Sequence, residues 1–451
     1  MSERLVVIGG GAAGMSAASA ARRVDPGLEV VVLEATAHAA YGLCGLPYLV
    51  SGVIGSADAL LSYPPDFFRR QRGLDLRLGV AAIGLDLRRG VVHCVGDGHE
   101  QTIGFDRVVI TAGGAPLVPP VRGLEGERVF TVRTLEDAVR LRSLLETGAA
   151  RRALVVGAGY IGLEMAEALR ARGLEVVVAE RLGQVMPNLD AEIADLVEAE
   201  VRGHGVDLRL GTPLEELRAG VESLDAILGG QACPVDVIVI AAGVRPNGVL
   251  AAGAGARMDG SGALLVDSGM RTSLPGVLAA GDCVAPHHRL LGGPAFVPLG
   301  PAANKTGRVA GTVAAGGHAE FHGILGTAVV KVFDLAVGRT GLTLGEARRG
   351  GLDALATDAV GRSRAKYYPG AEAVTVRLVH EPGGRLLGAQ MVGRSGVAKR
   401  IDVLATALQA GFGIDDLAGL DLSYAPPYAP VYEPVLLAAQ AAARSRTAAV
   451  A

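Results

Sequence analysis

Cys44 stands in the run Tyr41-Gly42-Leu43-Cys44-Gly45-Leu46-Pro47-Tyr48, a glycine turn predicted to lead into a helix. A thiol at a helix start ionises more readily, because the backbone N–H groups there favour the thiolate. Cys94 and Cys233 read as small buried hydrophobes, while Cys283, which follows Asp282 at a predicted helix start, is the competing reactive thiol. None of the four cysteines forms a CxxC pair, so neither a disulfide framework nor a zinc site is expected and no metal is assigned. A reducing, cytoplasmic setting fits this cysteine usage.

A second chemistry is written in glycines. Gly9, Gly11 and Gly14 form GxGxxG directly after the strand-like LVVI, and Glu34 lies 25 residues beyond Gly9. Gly157, Gly159 and Gly162 repeat the pattern after LVV, with Glu180 at a distance of 23. Such glycines permit a tight turn, close backbone approach to a pyrophosphate at a helix start, and close helix–strand packing, while the acid binds ribose hydroxyls. A glycine turn without ligand and a solvated strand-end acid are the plainer alternatives. Glu180 would repel a 2′-phosphate, which predicts NADH over NADPH, although Arg181 beside it works the other way and leaves NADPH possible. Two dinucleotide loops in one chain imply electron transfer between a resident and an exchanged cofactor, most economically FAD and NAD(P)H.

These residues need elements to hold them. LVVIGGGAAGMSAASAARR near residue 5 recurs as LVVGAGYIGLEMAEALRARG near residue 154, so a strand–turn–helix unit has been used twice, each time followed by another strand. DRVVITAGGAP and DVIVIAAGVRPN then return the chain to each sheet through a glycine turn, and Ala112, Gly113 and Gly243 there are expected as cofactor contacts. GVLAAGDCV reads as a strand stopping at a helix start, where Asp282 binds the FAD ribitol or simply caps the helix. From about 322 the pattern changes to a small α+β domain, expected as a mixed sheet with flanking helices, and the last ten residues are expected to fray. The fold class is therefore α/β: two Rossmann-like three-layer nucleotide-binding domains plus a C-terminal α+β domain. The expected segments are 1–115 (FAD, first part), 116–245 (NAD(P)H), 246–321 (FAD, second part) and 322–451 (the C-terminal α+β domain).

Composition bounds the partners. With 43 Lys+Arg against 46 Asp+Glu over 451 residues, the net charge of −3 gives no bulk attraction to nucleic acid or an anionic membrane. No charged leader precedes an apolar stretch at the N-terminus, and no apolar run reaches membrane-spanning length.

Taken in order, GGGAAG, YGLCGLPY, TAGGAP, VVGAGYIGLE, AAGDC and YAPPYAPVYEP resemble the single-cysteine branch of the FAD-dependent pyridine nucleotide-disulfide oxidoreductases. Within that branch the chain is most similar to coenzyme A disulfide reductases and NADH-dependent persulfide reductases. The resemblance implies that Cys44 alternates between thiolate and a Cys44–S–S–CoA mixed disulfide. Leu49 occupies the position of the second cysteine of two-cysteine members, so no internal dithiol forms. It further implies that Tyr367 in AKYYPG and Tyr424 in SYAPPY position or protonate the sulfur substrate from a partner subunit, which makes a homodimer part of the activity. Arg23, Arg72 and Asn304 fall at CoA contacts of the family. Ala40 and Leu43 stand where its disulfide reductases often carry Ser and Asn, and Tyr432-Glu433-Pro434 replaces a family cation. CoA persulfide, polysulfide or O₂ are thus the other acceptors, the last through a sulfenic acid at Cys44. Ala12 replaces the histidine of the peroxidase relatives, and a regulatory NAD(H)-sensing flavoprotein is a third reading with no partner motif behind it.

Overall fold

The computed structural model describes residues 3–219 and 223–450. The chain forms two compact units. The first takes the chain up to Leu117, then Val132–Arg140 and Gly243–Ile324; the second takes Val118–Thr131, Leu141–Ala242 and the chain from Leu325. Residues 132–140, inside the span 116–245 read from the sequence as one domain, thus lie in the first unit.

In the first unit, apolar β-branched runs make buried parallel strands. Their order is Val277–Ala279, Arg107–Ile110, Arg4–Ile8, Glu29–Glu34, Asp75–Leu78, with every neighbouring pair parallel. Successive side chains point to opposite faces. Leu5 and Val7 join the core under the helices Ala12–Val24 and Gly300–Ala314. Val6 and Ile8 instead pack with Val92, Cys94 and Ile103 of an antiparallel three-stranded layer, Val80–Asp86, Val91–Gly96 and His99–Gly104. The unit therefore has three layers.

Its two helices nearly touch backbone to backbone. A Cβ on Gly307 or Gly311 would lie 2.2 or 2.0 Å from the carbonyl oxygen of Ala13 or Ala17. One turn apart on the same helix, these glycines seat the helix that carries the first nucleotide loop.

The second unit repeats the plan. Asp207–Arg209, Glu175–Ala179, Arg152–Val156, Val237–Ile240 and Val129–Phe130 form a parallel sheet. Leu214–Ala219, Leu224–Leu228 and Gln231–Val235 cover one face as an antiparallel layer. The same unit contains a five-stranded sheet ordered Ala328–Val332, Leu335–Gly341, Leu386–Gly393, Ala373–His380, Leu355–Arg362. The sequence reading expected this sheet to be mixed, but every pair is antiparallel. Its hairpin connections, such as Phe333-Asp334, are too short for a parallel crossover. The segment from residue 442, expected to fray, continues a helix. Pro434–Val450 is one helix, and Ala438, Ala439 and Ala442 are fully buried, as alanine's high helix propensity and small volume allow. Among the described residues, no helix is long and apolar enough to cross a membrane.

Candidate active site

The two glycine turns are built alike. Gly9 and Gly157 have φ of +105° and +107°, a left-handed conformation that favours glycine, and each donates its N–H at 2.8 Å to the strand bearing the acid, at Leu33 and Ala179. A Cβ on Gly14 would lie 1.8 Å from the Gly9 carbonyl oxygen, and one on Gly162 would lie 2.0 Å from that of Gly157, so the third glycine sets the helix against its turn. The middle glycines, Gly11 and Gly159, have nothing within 4 Å of a Cβ position and stand as N-caps of helices whose starts no side chain caps. Open space beside helix N–H donors fits a pyrophosphate.

The acids are fixed by the turns they serve. Glu34 Oε2 accepts from the Gly10 N–H at 2.7 Å, and Oε1 accepts from the N–H and hydroxyl of Thr36, both at 2.8 Å. Glu180 Oε2 accepts from the Ala158 N–H and Oε1 from the Leu182 N–H, both at 2.8 Å. Gly10 and Ala158 hold the same place in their turns. Both carboxylates are thereby oriented while lone pairs remain for ribose hydroxyls.

Cys44 is exposed, whereas Cys94, Cys233 and Cys283 are buried. It lies in the single 3₁₀ turn Leu43–Gly45 that runs into the helix Leu46–Ser51. Gly42 donates to the Leu60 carbonyl and Gly45 to the Gly42 carbonyl, both at 2.8 Å, and a Cβ on Gly45 would lie 2.2 Å from Leu60 Cδ2. The packing of Leu60 thus favours glycine at 45, whereas a Cβ on Gly42 would meet the Leu60 carbonyl oxygen at an ordinary 3.8 Å. Ala40 enters this turn with φ of +54°, a strained conformation for a residue with a Cβ. Cys283 is excluded as a rival: burial pushes its thiol up to about 12, and Sγ lies 3.3 Å from the Ala280 carbonyl oxygen. Nor does it follow a helix start. Residues 281–283 are a turn between the short strands Val277–Ala279 and Val284–Ala285, so Asp282 caps no helix. Its carboxylate instead pairs with Arg133 at 3.2 Å.

Ala112, Gly113 and Gly243 lie where the strands Gly114–Pro116 and Val244–Pro246 pair antiparallel. Gly113 and Gly243 have φ of +67° and +123°, and the carbonyl of Gly113 accepts from Asn247 N–H at 2.9 Å. In the second unit, Tyr367 and Tyr424, 57 residues apart in sequence, bring their hydroxyls to 3.1 Å of each other while remaining substantially exposed.

Residues 3–315 match the pyridine nucleotide-disulphide oxidoreductase family, and residues 327–434 match its dimerisation domain. The chain belongs to this family. It is an oxidoreductase that works with FAD and NAD(P)H. Over 430 residues it is 38% identical to the NAD(P)H coenzyme A polysulfide/persulfide reductase of Pyrococcus horikoshii, covering 95% of this chain and 96% of that one. Over 440 residues it is 36% identical to an NADH oxidase of Methanocaldococcus jannaschii, covering 97% and 98%. The solved NAD-dependent persulfide reductase from A. fulgidus is similar at a TM-score of 0.95 and 41% identity, over 99% of this chain and 84% of that one.

The remaining residues singled out from the sequence are only partly gathered. Asn304 Oδ1 accepts from the Ser16 hydroxyl at 2.8 Å, and Ser16 shares a helix face with the exposed Arg23 seven residues on. Arg72 lies over the ring of Phe67, 5.3 Å from its centroid, and no contact ties it to the other two. Sequence reasoning missed three groups of the first unit. Arg133 holds Asp282, His38 Nδ1 meets Glu136 Oε1 at 2.8 Å, and Tyr41 is pushed up to about 12 by burial and by the charges of Glu136 and Glu34. Each involves a residue of the returning segment 132–140, 98 residues away for the His38 pair, so no spacing rule announces them.

Proposed function

We propose that the chain is an NADH-dependent reductase of coenzyme A disulfide or coenzyme A persulfide that works through Cys44 as its one redox-active thiol. The observation that carries this reading is the contrast among the four cysteines: Cys44 alone is exposed, in a turn fixed by Gly42, Gly45 and Leu60. The likeness to the Pyrococcus and A. fulgidus reductases supports the substrate class.

In this reading Gly9, Gly11, Gly14, Glu34, Ala112, Gly113 and Asp282 hold FAD, and Gly157, Gly159, Gly162, Glu180 and Gly243 hold the nicotinamide nucleotide. FAD, when bound, supplies the two-electron relay from nicotinamide to sulfur. The Cys44 thiolate attacks one sulfur of CoA disulfide, forming Cys44–S–S–CoA and expelling one CoA thiolate, which takes up a proton. Two electrons then cleave that bond, returning Cys44 as thiolate and releasing the second CoA. The balance is NADH + H⁺ + CoA disulfide giving NAD⁺ and two CoA thiols. Tyr367 and Tyr424, from the partner of a homodimer, position the disulfide and protonate the leaving thiolate. Arg23, Arg72 and Asn304 meet the phosphates and polar groups of CoA, and the reaction runs in the reducing cytoplasm.

The test is anaerobic NADH oxidation by the FAD-loaded protein with CoA disulfide as sole acceptor, thiols being counted, with Cys44→Ser alongside. Two CoA thiols per NADH, lost in the variant, is the expected result. Flavin reduction without thiol release rejects CoA disulfide. Likeness to the M. jannaschii NADH oxidase makes O₂ the acceptor to try next.

A further inference from the structure

Two loops carry the tyrosine pair. Tyr367 lies in the connection between the strands Leu355–Arg362 and Ala373–His380, and Tyr424 in the stretch between the helices Ile414–Ala418 and Pro434–Val450. Neither tyrosine is in regular structure, and Tyr367 is 75% exposed, so something else must hold the two hydroxyls together. One side chain reaches the foot of both loops.

Arg400, in the helix Val397–Ala410, is nine-tenths buried, as is Glu433. Its Nε and Nη2 donate to Glu433 Oε1 and Oε2 at 2.5 and 2.9 Å, a bidentate pair at the end of the Tyr424 stretch. Nη2 also donates to the Ser363 carbonyl at 3.0 Å, where the Tyr367 loop begins, and Nη1 to the Gly396 carbonyl at 3.0 Å. Room for this guanidinium depends on Gly396, since a Cβ there would lie 2.0 Å from Nη1. Ser363 closes its own loop: its N–H donates to the Glu372 carbonyl at 2.8 Å and its hydroxyl accepts from the Glu372 N–H at 3.1 Å. Between the loops, the Ala365 N–H donates to the Pro426 carbonyl at 3.2 Å.

Burying a guanidinium and a carboxylate is a poor way to gain stability, because an apolar pair of similar volume does as well or better. What a bidentate pair adds is fixed geometry. We infer that Arg400, acting through Glu433 and the Ser363 carbonyl, is a positioning residue that clamps the two loops so that the Tyr367 and Tyr424 hydroxyls meet. Its catalytic consequence rests on the reading of those tyrosines proposed above; the clamp itself does not.

Ionisation of Tyr424 reads the clamp without any substrate. Its hydrogen bond with Tyr367 holds the Tyr424 phenol above the ordinary tyrosine range. The protein has nine tyrosines and no tryptophan, so tyrosinate absorbance, taken as the difference from the matching Tyr424→Phe protein, isolates this phenol in the holoenzyme. In Arg400→Lys and Glu433→Gln, Tyr424 is expected to titrate at lower pH than in the parent, as it does in Tyr367→Phe. Unchanged titration in both variants overturns the clamp. Stopped-flow supplies the second readout. NADH should reduce the flavin of both variants at the parent rate, while reoxidation by CoA disulfide slows about tenfold or more. Adding Tyr424→Phe to Arg400→Lys should then slow it no further than Tyr424→Phe alone. Losses that multiply mean Arg400 acts elsewhere and also overturn the proposal. If the parent holoenzyme is not reoxidised by CoA disulfide, the substrate reading fails and the titration still decides the clamp.

Discussion

Among thiols the reactive one is chosen by environment, and here the environments are far apart. Burial disfavours the charged form of Cys283 and pushes its thiol up to about 12, and burial raises the Cys94 thiol as well. The proton on Cys283 therefore stays in place across the neutral range. Iodoacetamide near neutral pH should alkylate Cys44 in the folded holoenzyme and spare the other three, as read by peptide mass mapping. Label on Cys283 before unfolding contradicts the assignment. Glu180 makes a different kind of choice. Its carboxylate is oriented by two backbone N–H groups, and in the role proposed for it above, facing the ribose of the nicotinamide nucleotide, its charge would disfavour a 2′-phosphate. Glu180→Gln keeps an acceptor but loses the charge. The ratio of kcat/KM for NADPH over NADH should rise about tenfold, equivalent to about 1.4 kcal/mol; an unchanged ratio would mean that Glu180 does not select the nucleotide.

At the scale of elements, the first nucleotide helix is held by a contact with no space to spare. Because Gly307 and Gly311 sit against the carbonyls of Ala13 and Ala17, Gly311→Val must push two helices apart. Overpacking of this kind costs about 1–3 kcal/mol, so the melting temperature should fall and FAD should be lost more readily on dilution. A variant with parent stability and flavin content would show that the helices can separate freely. The same contacts explain what the sequence makes legible. The glycine turns are readable because only glycine meets the steric demand at their first and third positions, and so both loops stand where GxGxxG places them. Hairpin order in the C-terminal sheet is less readable, since alternating apolar strands look alike whether paired parallel or antiparallel. Asp282 is paired by an Arg133 that arrives from the segment 132–140, and long-range pairs leave no periodic trace. Tyr367 with Tyr424 was suggested only by family resemblance, while Arg400 with Glu433 looks in sequence like two ordinary surface charges.

For the whole molecule, the question is which chain completes which site. A single chain exposes Tyr367, Tyr424, Tyr428 and Tyr432 together with Val360 and Val431, all in its dimerisation region, where a second copy would cover apolar surface. If the tyrosines serve the partner's thiol, complementary defects on separate chains can rescue one another. Co-expressing a Cys44→Ser chain with a Tyr367→Phe/Tyr424→Phe chain, each with its own affinity tag, yields purifiable mixed dimers. In such a dimer one site combines an intact Cys44 with intact tyrosines from the other chain, and the opposite site lacks both. The mixed dimer should then turn over CoA disulfide at about half the parent rate per dimer, although both parental homodimers are defective. Sites completed within one chain would leave every site in the mixed dimer missing either the thiol or the tyrosines. Activity no higher than that of the tyrosine-deficient homodimer would therefore place thiol and phenols on the same subunit.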